Sequence, residues 1–129
     1  MANFLEDYFL LKNETAKRLF FEIAKDLPIF DYHCHLSPKA IAEDKPFDDI
    51  AKIWLEGDHY KWRIMRANGA PESLCAGPGA WDEKFLAYAS ALTKAAGNPL
   101  VQWSHLELKR IFGIEEVLTP QNALSIREK

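Results

Sequence analysis

Two histidines separated by a single residue form the most informative local pattern in the sequence. His33 and His35 lie in the segment Pro28–Leu36, which is β-prone, stands between a proline and a Ser-Pro turn, and predicts a strand. Because alternate side chains of a strand point to the same face, both imidazoles project from one face. Two imidazoles placed in this way can bind one metal ion. The pattern therefore favours a metal site over two histidines that are only hydrogen-bonded.

Further ligands must come from elsewhere, because a catalytic zinc ion normally takes three protein ligands. Asp58, His59 and His105 are candidates, and their spacing selects none of them; His105, just behind a capping serine, is most simply structural. Cys34 alternates to the opposite face of the strand and is not expected to bind the same ion. Asp31 shares the histidine face and is a candidate to orient a ligating ring.

A second dense patch is the segment Asp58–Arg63, which reads Asp-His-Tyr-Lys-Trp-Arg. In a purely structural interpretation the aspartate caps a helix, the aromatic residues pack and the basic residues are solvated. In a functional interpretation, His59 and Tyr60 stand at a helix N-terminus, which is a suitable place to hold a carboxylate or an oxyanion. The sequence leaves both interpretations open.

The elements that must position these residues are mostly helices, with one strand. Apolar spacing, capping residues, prolines and terminal glycines mark the boundaries. The predicted helices are Asn13–Leu27, one starting at Ser37-Pro38, Phe47–Glu56, His59–Ala67, Trp81–Ala96, one opened by a capping box at Ser104–Glu107 and ended by Gly113, and a last one from Thr119-Pro120. The fold class expected for this chain is therefore mainly α, with one β-strand and about six helices, not counting the short last one.

Composition excludes several classes of protein. The chain has 129 residues, a formal net charge of −3, 48% hydrophobic and 27% charged residues, which is typical of a globular protein. The acidic balance argues against nucleic acid or an anionic membrane as a partner, and no apolar run approaches the ~20 residues of a membrane span. The N-terminus has acidic residues where a signal peptide has basic ones, and two cysteines cannot form a disulfide framework. We expect a cytoplasmic protein with reduced thiols.

Three long blocks of the sequence resemble the uronate (glucuronate) isomerases of the amidohydrolase superfamily, which are TIM barrels. The blocks are Leu27–Leu36, Ile53–Arg63 followed by Met65–Gly69, and Asn98-Pro99 leading to Trp103–Arg110. A TIM barrel needs about 250 residues, so the resemblance implies that this chain is the N-terminal part of an α/β barrel. Residues 1–36 would supply an N-terminal helix and the first barrel strand, and residues 37–129 a helical insertion after that strand, with the rest of the barrel absent.

The resemblance also implies a function and a set of site residues. The family interconverts D-glucuronate with D-fructuronate and D-galacturonate with D-tagaturonate, by proton transfer through an enediol(ate). His33 and His35 would bind a divalent metal, zinc, or contact the substrate directly, while His59 and Tyr60 would hold the substrate. The catalytic set implied is His33, His35 and Tyr60, with the remaining ligands outside this chain. The expected partners are a hexuronate and the remainder of the polypeptide, with a homo-oligomer left open. The 129 residues alone are expected to be inactive.

Two other functions compete with this one. An amidohydrolase-type hydrolase would use the same histidine pair to activate water, but the blocks around residues 58–63 and 103–110 would then be coincidental. A helical interaction module without catalysis would keep the histidines only as hydrogen-bonded side chains. The lone predicted strand argues against that module, because unpaired strand groups need partners.

Overall fold

Residues 5–129 are described by the computed structural model, and their regular secondary structure is helical. The chain divides into two units, residues 1–34 and residues 35–129. The two predicted site histidines fall on either side of this division, His33 in the first unit and His35 in the second.

The first unit contains the predicted N-terminal helix. Asn13 caps it as expected, because its Oδ1 accepts a hydrogen bond from the backbone N–H of Ala16 at 2.8 Å. Helix α1 (Glu14–Arg18) continues directly as a π-helix (Leu19–Ala24). The wider turn is visible in the bond from the N–H of Lys25 to the carbonyl of Phe20, five residues back, at 2.8 Å. The helical structure thus ends at Ala24, before the end that the sequence predicted at Leu27.

The predicted strand over Pro28–Leu36 is not found: the described residues 5–129 contain no strand. The physical reason is that a strand is stabilised by hydrogen bonds to its neighbours, and no other segment of the described chain is extended and paired. The apolar side chains of this segment are accordingly exposed, with Ile29 at 92%, Phe30 at 90% and Tyr32 at 89%.

The second unit contains six helices. Their bounds are α2 (Pro38–Ala42), α3 (Ile50–Leu55), α4 (His59–Ala67), α5 (Trp81–Thr93), α6 (Pro99–Phe112) and α7 (Ala123–Arg127). Ser37 caps α2 and Asp58 caps α4, as the sequence predicted, and Asp49 caps α3 through the N–H of Ala51 at 2.9 Å. Helix α4 has the bounds that were predicted for it, and α7 begins later than its Thr119-Pro120 signal suggested.

The capping box predicted at Ser104–Glu107 is wrong. Helix α6 begins earlier, because the side chain of Asn98 accepts from the N–H of Leu100 at 2.9 Å and Pro99 fits the first helical turn. Ser104 consequently lies inside the helix and is buried. Gly113 ends α6 as predicted, with a φ of +67° that favours glycine.

The core of the second unit is apolar and takes buried side chains from α3, α4, α5, α6 and α7. Its largest fully buried side chains include Tyr88, Phe85, Leu55, Met65 and Leu108. The Tyr88 hydroxyl hydrogen-bonds that of Ser104 at 2.8 Å, so the buried polar atoms are paired. None of the helices in the described part of the chain has the length and apolar character needed to cross a membrane.

Candidate active site

The candidate site is built on the N-terminus of α4. Asp58 is its N-cap: Oδ1 accepts from the backbone N–H groups of Tyr60 at 2.9 Å and Lys61 at 3.2 Å. These bonds satisfy two of the donors that a helix start leaves unpaired. His59 and Tyr60 are therefore fixed in the first turn, and both are exposed, with Tyr60 at 45%.

His35 completes a group of three rings with these two residues, which we call the ring cluster. Its ring stacks on that of His59 at 4.9 Å and on that of Tyr60 at 5.0 Å between centroids. His59 and Tyr60 lie 4.7 Å apart by the same measure. The second unit thus brings together three of the four residues predicted for the site.

A carboxylate and an ammonium group support the ring cluster. Oδ1 of Asp58 lies 3.2 Å from Nδ1 of His35, and Oδ2 lies 2.7 Å from Nζ of Lys61. Burial by itself would raise the pKa of Asp58, but the hydrogen bond and charge of Lys61, with bonds from the backbone and His35, outweigh it and lower the pKa. Asp58 is therefore ionised at neutral pH.

Two cations of the same helix lie over aromatic rings, and one of them, Arg63, borders the ring cluster. The guanidinium of Arg63 lies 4.9 Å from the centre of the Tyr60 ring, and Nζ of Lys61 lies 5.9 Å from that of Trp54. Trp54 is itself held by a hydrogen bond from its Nε1 to Glu107 at 2.7 Å. Exposed imidazole and phenol groups beside positive charge can bind and hydrogen-bond an anionic, hydroxyl-rich ligand.

The other candidates named from the sequence are His33, Asp31, Cys34 and His105. His33, Asp31 and Cys34 belong to the first unit, where the backbone N–H of His33 donates to Oδ1 of Asp31 at 3.1 Å. The carboxylate found on the ring of His35 is that of Asp58. His105 is buried and structural, as predicted, because both of its ring nitrogens bond backbone groups.

The donor set found here fits part of a metal site. An imidazole whose Nδ1 faces a carboxylate, as that of His35 does, is the usual arrangement of a ligating histidine. In residues 5–129, however, no group of three or more His, Cys, Asp or Glu side chains converges in a way that would hold a metal ion. A complete metal site therefore needs ligands in addition to those of the described residues.

The sequence did not identify the role of Lys61. A basic residue in the first turn of a helix is usually a solvated one, whereas the Lys61 side chain is 12% exposed. The spacing Asp58-x-x-Lys61 was the available signal, because residues three apart face each other on a helix.

Comparison with known proteins places the sequence in a family. A family model described as glucuronate isomerase matches residues 1–129. The chain is 54% identical over 129 residues to the uronate isomerase of Caldicellulosiruptor saccharolyticus, covering 100% of this chain and 28% of that protein. It is 55% identical over 126 residues to the uronate isomerase of Bacillus subtilis, covering 98% of this chain and 27% of that protein.

A solved structure resembles the chain as well. The crystal structure of uronate isomerase from Thermotoga maritima superposes with a TM-score of 0.85 at 42% sequence identity, covering 96% of this chain and 27% of that one. The chain thus spans little more than a quarter of the length of the relatives it matches.

Proposed function

Because this chain belongs to the glucuronate isomerase family, we propose that the intact protein containing it is an aldose–ketose isomerase of hexuronates. The reaction proposed interconverts D-glucuronate with D-fructuronate and D-galacturonate with D-tagaturonate. The observation that carries the proposal is the ring cluster: a chain of this family places His35, His59 and Tyr60 together at an exposed helix N-terminus.

The chemistry proposed requires groups that move protons between neighbouring oxygens and carbons. A proton moves from C2 to C1 of the sugar through an enediol(ate), and another moves between O1 and O2. Such a reaction needs a base near C2 and electrostatic stabilisation of the developing oxyanion. Tyr60 and His59 supply a phenol and an imidazole that can hold sugar oxygens and exchange protons with them.

We assign the residues of this chain to three roles within that reaction. His59 and Tyr60 bind the substrate, and Tyr60 is also a catalytic residue. His33 and His35 are catalytic and bind a divalent metal ion, zinc, or contact the substrate oxygens. When bound, such an ion supplies charge stabilisation to an oxyanion. Its remaining ligands are proposed to lie outside these 129 residues.

The proposed architecture of the intact protein is a TIM barrel. In it, residues 1–36 contribute an N-terminal helix and the first strand, and residues 37–129 form a helical insertion. This proposal gives the exposed side chains of Ile29, Phe30 and Tyr32 a physical role, because a barrel strand is buried between its neighbours and the surrounding helices.

The direct test is ketose formation from D-glucuronate by the purified intact protein, followed beside its His33→Ala variant. We expect turnover by the intact protein and loss of turnover in the variant. The chain of 129 residues alone is expected to be inactive, because most of the proposed ligand set lies outside it. A folded, metal-loaded intact protein without turnover would contradict the proposal and favour the hydrolase alternative.

The family match also bears on the two competing functions. A hydrolase of the same superfamily would leave the segments around residues 58–63 and 103–110 unexplained, and both lie within the match to the isomerase family. A helical interaction module would give no reason for three rings with hydrogen-bonding capacity to gather at one exposed helix end.

A further inference from the structure

We propose that Asp58 is a positioning residue that fixes the ring of His35, and that Lys61 in turn fixes Asp58. The inference rests on the proposed function, since it concerns a histidine assigned to that site. It goes beyond the proposed function because it gives the chain's own residues a role in orienting that histidine. The contact between Nδ1 of His35 and Oδ1 of Asp58, at 3.2 Å, is the observation from which it starts.

The orientation of Asp58 is set by three groups of its own helix. Its Oδ1 accepts the two backbone bonds of the α4 N-cap, and its Oδ2 lies 2.7 Å from Nζ of Lys61. The carboxylate is 11% exposed and has a bonding partner on each oxygen. A side chain held in this way cannot rotate without losing several hydrogen bonds, so it presents Oδ1 to His35 in a fixed direction.

Lys61 is held in turn by its surroundings. Its side chain is 12% exposed, and its Nζ lies 5.9 Å from the centre of the Trp54 ring. Trp54 is 2% exposed and belongs to the core of the second unit. Successive contacts therefore connect the packed core to His35, through Trp54, Lys61 and Asp58.

The consequence for His35 is a fixed tautomer. An ionised carboxylate only accepts hydrogen bonds, so Nδ1 of His35 carries the proton that points to Asp58. The other ring nitrogen, Nε2, then presents its lone pair, as a metal ligand or an acceptor from substrate must. Partners of this kind typically change metal affinity or activity by about 10- to 100-fold when they are removed.

The test compares two aspartates that cap neighbouring helices. Asp58→Asn keeps an N-cap acceptor but removes the charge that faces His35. Asp49→Asn is the matched control: Asp49 caps α3 through the N–H of Ala51 and pairs with Arg127, in the same kind of arrangement. Both variants of the intact protein are measured for zinc affinity by chelator competition and for the visible spectrum of bound Co²⁺.

We expect Asp58→Asn to weaken zinc binding about 10- to 100-fold and to change the Co²⁺ spectrum, while Asp49→Asn alters neither. If Asp58→Asn binds zinc as tightly as Asp49→Asn and gives the same spectrum, the positioning role is overturned. Both readouts are independent of isomerase turnover. Weakened zinc binding in a protein that makes no ketose would thus support the positioning role and contradict the proposed function.

A second variant covers the case in which Asp58→Asn fails to fold. Lys61→Met removes the ammonium group but retains the apolar stem and leaves the Asp58 cap in place. We expect a smaller decrease in zinc affinity in the same direction. Unchanged zinc affinity and an unchanged Co²⁺ spectrum in Lys61→Met would contradict the proposal that Lys61 fixes Asp58.

Discussion

His105 is held by two hydrogen bonds that determine which of its ring nitrogens carries the proton. Its Nε2 accepts from the backbone N–H of Leu118 at 2.9 Å, so Nδ1 is the protonated nitrogen and donates to the carbonyl of Val101 at 2.6 Å. The side chain is 2% exposed. It therefore joins α6 to the segment that precedes α7.

We expect His105→Ala to destabilise the protein strongly. The change leaves the buried N–H of Leu118 without its acceptor, which costs about 1–3 kcal/mol, and it also opens a cavity in place of the ring. Urea unfolding of the intact protein measures the loss. Arg110→Ala, an exposed position on the same helix, is the control and is expected to stay within about 0.5 kcal/mol of wild type. Equal stabilities for the two variants would contradict the role assigned to His105.

Some roles of single residues were predictable from the sequence, and others were not. That His105 is structural followed from its place behind Ser104, although the reason given, a capping box, was wrong. That Asp58 faces His35 could not be derived, because local spacing does not report a contact between residues 23 positions apart in the chain. The cap at Asp58 was predictable, since it depends only on the residues that follow it.

Between elements, one pair of side chains joins the start of α3 to the end of α7. Arg127 donates from Nε to Oδ1 of Asp49 at 3.0 Å and from Nη2 to Oδ2 at 2.7 Å, across 78 residues of sequence. Its Nη1 also contacts Asp82 in the first turn of α5. The hydrogen bond from Arg127 holds the pKa of Asp49 below its ordinary value of 3.8.

This pair predicts a contribution to stability that acid removes. A carboxyl whose pKa is lower in the folded state stabilises the fold above its unfolded pKa, near 3.8 here, and that contribution is lost as the pH falls through the folded value. We expect Arg127→Met to lower the free energy of unfolding by about 1–3 kcal/mol at pH 7. The decrease should become smaller as the pH falls below about 3.8 and Asp49 is protonated. Urea unfolding at several pH values measures both effects.

Arg66→Met provides a matched control for that experiment. Arg66 also makes a two-pronged contact with a carboxylate, Glu72, but the two side chains are 41% and 62% exposed. Because water screens an exposed pair, its loss should matter less than that of Arg127. An Arg127→Met variant no less stable than Arg66→Met at pH 7 would contradict the account of the Asp49–Arg127 pair.

Helix boundaries were predictable where a cap and its helix are adjacent in the sequence. Asn13, Ser37, Asp58 and Gly113 all act as the sequence indicated. The start of α6 was missed because two competing signals occur in the same stretch. Asn98-Pro99 begins the helix, while Ser104 bonds Tyr88 and Glu107 bonds Trp54, both contacts that only the packed structure creates.

At the scale of the whole molecule, the strand predicted over Pro28–Leu36 is the element that residues 5–129 do not confirm. Pro28–Leu36 has the composition of a buried strand, but composition does not provide the partner strands that make one. Ile29 and Phe30 are highly exposed, because no strand pairs with this segment in residues 5–129. The family, in contrast, was recognisable from the sequence, because three blocks in a fixed order are far more specific than any single helix signal.

The measurement that tests the central claim most directly compares two tyrosines, using kcat/KM for D-glucuronate in the intact protein. Tyr60 belongs to the exposed ring cluster, whereas Tyr88 is buried and pairs with Ser104. General acid–base groups typically contribute about 10²- to 10⁴-fold, so we expect Tyr60→Phe to lose at least about 100-fold in kcat/KM. Tyr88→Phe should lose stability and keep its activity. Wild-type kcat/KM in a folded Tyr60→Phe variant would contradict the claim that the N-terminus of α4 carries the active site.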